Sequence, residues 1–303
     1  MTAKFLPPQS VLRHVSAALL LISIPSFALA SSAAGDSAAP LAVRPLLRLS
    51  NLATRANVGV NDNVLISGFI VSGSGAKRVL ARAIGPSLSS RGISGALQDP
   101  TLELVPQNGA STFNDNWKSD AANVQPTGLA PTDDRESAIL ATLTPGAYTL
   151  VLRGKNNATG IAVVELYDMD QNAPAFLGNI SGRAMVGTGS NVLIGGLSVG
   201  GDSAAPNMQV VIRGIGPSIA SRVSGALSDP ELFLIDANGD TVASNDNWKD
   251  TQRTEIQNSG VAPTDDREPA MVITLPRGSY TAIMRGKNGT SGVAVVEIYD
   301  AQT

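Results

Sequence analysis

The chain has 303 residues, with 22 Lys and Arg against 25 Asp and Glu, one His and no Cys, for a formal net charge of -3. Without cysteine there are no disulfide staples and no thiol nucleophiles, and without clustered basic surface there is no nucleic-acid footprint. The lone His14 falls within the first thirty residues, so the chain beyond them can build neither His- or Cys-based zinc sites nor a Ser-His-Asp triad.

Residues 1–30 read as an export signal. Lys4 and Arg13 precede the apolar run from Val15 to Phe27, and Ala28-Leu29-Ala30 supplies the small residues a signal peptidase needs. Ser23, Pro25 and Ser26 interrupt a run already short for a bilayer span, so no membrane span is expected in the mature chain. Cleavage would leave about 273 residues, with 20 basic against 25 acidic side chains and a formal charge near -5. That length suffices for two sizeable cores. Residues 31–45, rich in Ser, Ala and Pro, read as a flexible leader.

From Leu46 the chain repeats itself, which divides it into repeat 1 (46–174) and repeat 2 (175–303). Asn63-Val64-Leu65-Ile66 returns as Asn191-Val192-Leu193-Ile194, and Ile84-Gly85-Pro86-Ser87 as Ile215-Gly216-Pro217-Ser218. Asn114-Asp115-Asn116-Trp117 returns as Asn245-Asp246-Asn247-Trp248, and Ala130 to Glu136 as Ala262 to Glu268. Arg153-Gly154-Lys155-Asn156 returns as Arg285-Gly286-Lys287-Asn288.

Between these blocks the apolar runs are short and bounded by Gly, Pro, Asn or Ser, and none sustains a helical period over ten residues. Asn108-Gly109 and Asn238-Gly239 have the chemistry of tight hairpins, which should pair Glu103 to Val105 with the segment before Phe113 and Leu232 to Ile235 with Thr241 to Ala243. The expected fold is all-β, two tandem antiparallel β-sandwich domains of jelly-roll-like character, with seven or eight strands each. A closed barrel satisfies the same strand count. The opening segments Leu46 to Leu52 and Phe176 to Ile180 should pair within their own units; the alternative is donation to the open edge of a neighbour.

Three sets of residues are candidates for chemistry. Asp115, Asp133, Asp134 and Glu136, with Asp246, Asp265, Asp266 and Glu268, are oxygen ligands of the kind calcium takes, although their spacing is not that of an EF-hand. The leading reading gives them turn-fixing hydrogen bonds and rim ion pairs instead. Trp117 and Trp248, the only tryptophans, are read first as loop anchors and second as stacking platforms for a sugar ligand. Arg82 and Arg213 lie in apolar runs and need carboxylate mates, for which Glu165 and Glu297 are the candidates. The Gly-Pro-Ser turns at 85–87 and 216–218 lack the full phosphate-loop pattern.

Taken in order, Asn191 to Leu197, Arg213 to Ser218, Asn245 to Trp248 and Gly292 to Asp300 resemble a repeat found in secreted or surface proteins of Verrucomicrobia and related bacteria. The resemblance spans roughly Leu46 to Asp300. The Gly-x-Tyr-Thr segment and final strand are similar to bacterial pre-peptidase C-terminal β-sandwich modules. That resemblance implies an accessory module able to bind calcium or polymers, usually beside a catalytic partner.

Together these observations lead to a noncatalytic, secreted or cell-surface protein serving structure, adhesion or surface assembly. No cofactor is required, calcium is the candidate ion, and the partners are further copies of the chain or a surface polysaccharide. The alternatives are a carbohydrate- or polymer-binding module supported by calcium and, last, a hydrolase using carboxylates or an oxygen-ligated metal.

Overall fold

Short alternating runs become strands because period-two patterning buries one face, while the Gly, Pro and Asn between them leave no length for a long helix. The computed structural model describes residues 47–202 and 205–301; the export signal, the leader and Leu46 fall outside them. Repeat 1 supplies β1 (Leu47–Val58), β2 (Leu65–Ser72), β3 (Lys77–Ile84), β4 (Pro100–Pro106), β5 (Thr112–Asn114), β6 (Ser137–Leu143), β7 (Gly146–Gly154) and β8 (Gly160–Asp168). Repeat 2 supplies β9 (Phe176–Val186), β10 (Leu193–Gly201), β11 (Met208–Ile215), β12 (Pro230–Ile235), β13 (Thr241–Asn245), β14 (Ala270–Leu275), β15 (Gly278–Gly286) and β16 (Gly292–Asp300). Two short helices, α1 (Ala121–Val124) and α2 (Arg253–Asn258), lie in the β5–β6 and β13–β14 connections.

The strands of repeat 1 form two layers, ordered β1-β8-β3-β6 and β2-β7-β4-β5. Repeat 2 reproduces them as β9-β16-β11-β14 and β10-β15-β12-β13. All these pairings are antiparallel, and the order is that of an eight-stranded jelly roll. The two Asn-Gly turns close the β4–β5 and β12–β13 hairpins, with Glu103 opposite Phe113 and Leu234 opposite Ala243.

The two repeats share their sheets. One edge of β1 pairs with β8 of its own repeat over Asn51 to Val58, while the other pairs with β10 of repeat 2, Leu47 opposite Gly201 and Arg55 opposite Ile194. Reciprocally, β9 pairs with β16 of its own repeat and with β2 of repeat 1. Each layer therefore holds eight strands, four from each repeat, and a single bridge between Asn57 and Met185 links the layers. The opening segments thus do more than pair at home: each also covers an edge of the opposite repeat, leaving no unpaired edge at the junction.

One continuous core fills the space between the layers, drawing Leu52, Phe69 and Leu150 from repeat 1 and Ile180, Leu197 and Ile298 from repeat 2. Because both repeats enclose it, separating them would return core-facing leucines and isoleucines to water, at about 25 cal/mol for each Å² exposed. The junction is closely fitted. Thr54 and Gly182 hold equivalent positions and face each other across the layers, and a Cβ at 182 would lie 2.4 Å from Thr54 Cγ2. At the rim, Arg55 donates to the Ser190 carbonyl at 3.1 Å and Arg183 to the Asp62 carbonyl at 2.7 Å, each reaching into the other repeat.

Arg48 stacks on Phe176, its own equivalent, at 4.9 Å. The chain turns back from β1 into β2 through residues 59–64, and β9 lies antiparallel to β2, so β1 and β9 run in the same direction along the sandwich. Antiparallel pairing then sends the connections 85–99, 115–136, 216–229 and 246–269 to one end of the sandwich. The start of β1, the end of β16 and the linker 169–175 lie at the other.

Candidate functional site

The recurring polar blocks meet in the β5–β6 connection and its twin between β13 and β14. Glu136 is fully buried and accepts from the backbone N–H groups of Gly85 and Ser87 at 3.0 and 2.9 Å, and from Ser87 Oγ at 2.8 Å. Glu268 does the same with Gly216 and Ser218 at 2.9, 2.8 and 2.5 Å. The Gly-Pro-Ser turns are therefore anion cradles already filled by the protein's own carboxylates. Glycine is required there for space, since a Cβ at 85 would lie 2.1 Å from the Leu97 carbonyl and one at 216 would lie 2.3 Å from that of Leu227.

The other acids have separate partners. Asp133 is gripped by Arg135 at 2.8 Å, and that hydrogen bond holds its carboxyl below the usual carboxylate range; Asp265 and Arg267 repeat the arrangement. Asp134 pairs with Lys118 at 2.6 Å and Asp266 with Lys249 at 2.5 Å, in exposed positions where such pairs are weak. Asp115 receives the Lys155 ammonium at 2.7 Å, and Asp246 receives that of Lys287. These hydrogen bonds hold both lysines above their ordinary range. The eight acids thus point to different partners, and among the described residues no group of three or more His, Cys, Asp or Glu is placed to hold a metal ion.

Trp117 and Trp248 are 7% and 4% exposed, and their backbone N–H groups donate to the carbonyls of Glu136 and Glu268. Trp117 packs with Leu80, Val124 and Ala138, and Trp248 with Ile256 and Ala270, fastening each long connection to the outside of its sheet. The indole N–H of Trp248 donates to the Asp265 carbonyl at 3.2 Å, whereas that of Trp117 is buried without a protein partner. Neither ring presents a face for a sugar to stack on.

Arg82 donates through Nε to Glu165 at 2.9 Å, through Nη1 to the Leu129 carbonyl at 2.5 Å and through Nη2 to Tyr167 at 2.9 Å. Arg213 makes the same set with Glu297, the Val261 carbonyl and Tyr299. Each guanidinium ties two neighbouring strands and the long connection together. Burial first, and Glu297 second, hold the Tyr299 phenol above its ordinary range, with Arg213 opposing; Tyr167 is raised in the same sense.

Sequence reasoning missed Lys77 and Asp168. Both side chains are fully buried, and the Lys77 ammonium donates to both Asp168 oxygens at 2.8 Å and to the Asp170 carbonyl at 2.5 Å. Lys77 opens an apolar strand, but repeat 2 has Met208 at that place, so searching for recurrence passes over it. Also missed was Gln252, whose carboxamide bonds the Val272 carbonyl at 2.7 Å and its N–H at 3.0 Å, sealing that stretch of β14.

Among the described residues no helix is long and apolar enough to cross a membrane. No family model matches the chain, and no curated protein sequence matches it. Among solved structures, a match to the STIV MCP, a viral major capsid protein, covers 85% of this chain and 95% of that chain at 12% identity and a TM-score of 0.21, too slight a likeness to carry an argument.

Proposed function

We propose that the chain is a noncatalytic extracellular framework protein that serves surface structure, adhesion or assembly. The observation that carries this reading is the use to which the recurring polar residues are put. Glu136 and Glu268 lock turns, Arg82 and Arg213 clamp strands, and the two tryptophans fasten long connections in both repeats. Polar blocks that recur because the fold uses them twice support a building role over a reaction centre. The Ala28-Leu29-Ala30 segment supports export.

Expression in a bacterial host, followed by fractionation, surface protease treatment and mass measurement of the mature N-terminus, tests this reading. A protein beginning at Ser31 and accessible from outside the cell is expected. An uncleaved, intracellular chain would remove the extracellular role.

A further inference from the structure

We infer that the junction between the repeats is also a docking surface for a second copy of this chain, which enters by exchange: repeat 1 of one molecule closes on repeat 2 of another. This deepens the surface-assembly reading and rests on it.

Three observations carry the inference. First, the junction is made by edge pairing, β1 with β10 and β9 with β2, so a second copy can supply the same pairs in the same register. Such an exchange loses no strand pairing, and its balance is set by the linker and by chain concentration.

Second, the fit distinguishes the repeats. Thr54 of repeat 1 occupies the space left by Gly182 of repeat 2, and a second threonine there would collide with it. Exchange therefore joins repeat 1 to repeat 2 and excludes repeat 1 against repeat 1. A copy that docks this way leaves its own repeats to be closed in turn, which gives reciprocal dimers or longer runs.

Third, the hinge is short and latched. Seven residues, 169–175, join β8 in one layer to β9 in the other, and fully extended they reach roughly 24 Å. The latch is Lys77, which ties the Asp170 carbonyl to buried Asp168, while Met169 N–H donates to the Arg78 carbonyl at 3.0 Å. Lys77 is thus a positioning residue for the hinge. Repeat 2 has Met208 at the equivalent place, so the latch belongs to the 169–175 hinge alone and not to the jelly-roll frame that the repeats share.

The full mature chain carrying Ala53→Cys and Gly196→Cys reads the exchange directly. These residues are opposite neighbours across β1 and β10, and a Cβ at 196 would lie 3.3 Å from that of Ala53, close to disulfide range. The natural chain has no cysteine to confuse the result. After refolding and oxidation, the bond should be intramolecular in dilute protein and should link dimers in concentrated protein. Lys77→Met should raise the dimer fraction several-fold, and light scattering of the unsubstituted chain should show the same concentration dependence.

Disulfides confined to single chains at every concentration, with and without Lys77→Met, together with a monomeric natural chain, would overturn the exchange. That result beside a surface-exposed protein would leave the surface reading standing. Exchange in an intracellular protein would do the reverse.

Discussion

Repeat 1 and repeat 2 have the same strand order, the same cradled glutamate and the same arginine clamp, yet they differ at three places that concern what lies outside each repeat. Lys77 latches the 169–175 linker through the Asp170 carbonyl, whereas repeat 2 has Met208 at that place. Thr54 fills the space that Gly182 leaves. Gln252 seals the β14 edge, whereas repeat 1 has Ala121 at that place. Features shared by the repeats build the jelly roll, and features that differ adapt one copy to its neighbour.

Asp168→Ala should break the comparison most severely. It strands a buried ammonium, and the cost is about 3–5 kcal/mol in urea unfolding. Lys77→Met should cost clearly less, because methionine fits the equivalent site and Asp168 keeps the Asp170 N–H at 2.9 Å. Equal losses would mean that the ammonium does not need its partner.

Glu136→Gln and Glu268→Gln should each cost about 2 kcal/mol, since charge-assisted bonds become neutral ones in identical cradles. Unequal effects in thermal melts would show that the cradles are equivalent in shape but not in energy.

Gly182→Ala should cost about 1–3 kcal/mol through overpacking against Thr54, and the double change Thr54→Gly with Gly182→Ala should recover part of it. If the double mutant shows only the sum of the single losses, the two residues do not meet at the junction.

The smallest expected effect is alkaline. A phenol whose folded pKa is raised contributes stability in full below its unfolded value of about 10, and that contribution is lost as pH rises through the folded value. Tyr299→Phe should therefore flatten the loss of stability above about pH 10, and more so than Tyr167→Phe because Tyr299 is the more deeply buried. Urea midpoints across pH 8 to 11, taken as an approximate window around the phenol range, would check the order.

The repeat, the all-β class and the hairpins at Asn108 and Asn238 were legible because each is local: it lies in recurrence, in alternation or in a turn dipeptide. The sharing of sheets was not legible, since alternation along β1 and β9 tells which side chains are buried but not which strand lies at each edge. The same limit applies to the site. That Asp115 and Glu136 recur is visible, but that one meets Lys155 and the other a Gly-Pro-Ser turn depends on connections folding back across tens of residues. Lys77 escaped for the opposite reason, being a buried latch in one repeat and replaced by methionine in the other.

The shared direction of β1 and β9 gives the molecule a polarity. The start of β1 and the end of β16 lie at one pole, and the connections bearing Trp117, Trp248 and their acidic neighbours stand together at the other, both sets facing outward like the crown of a post.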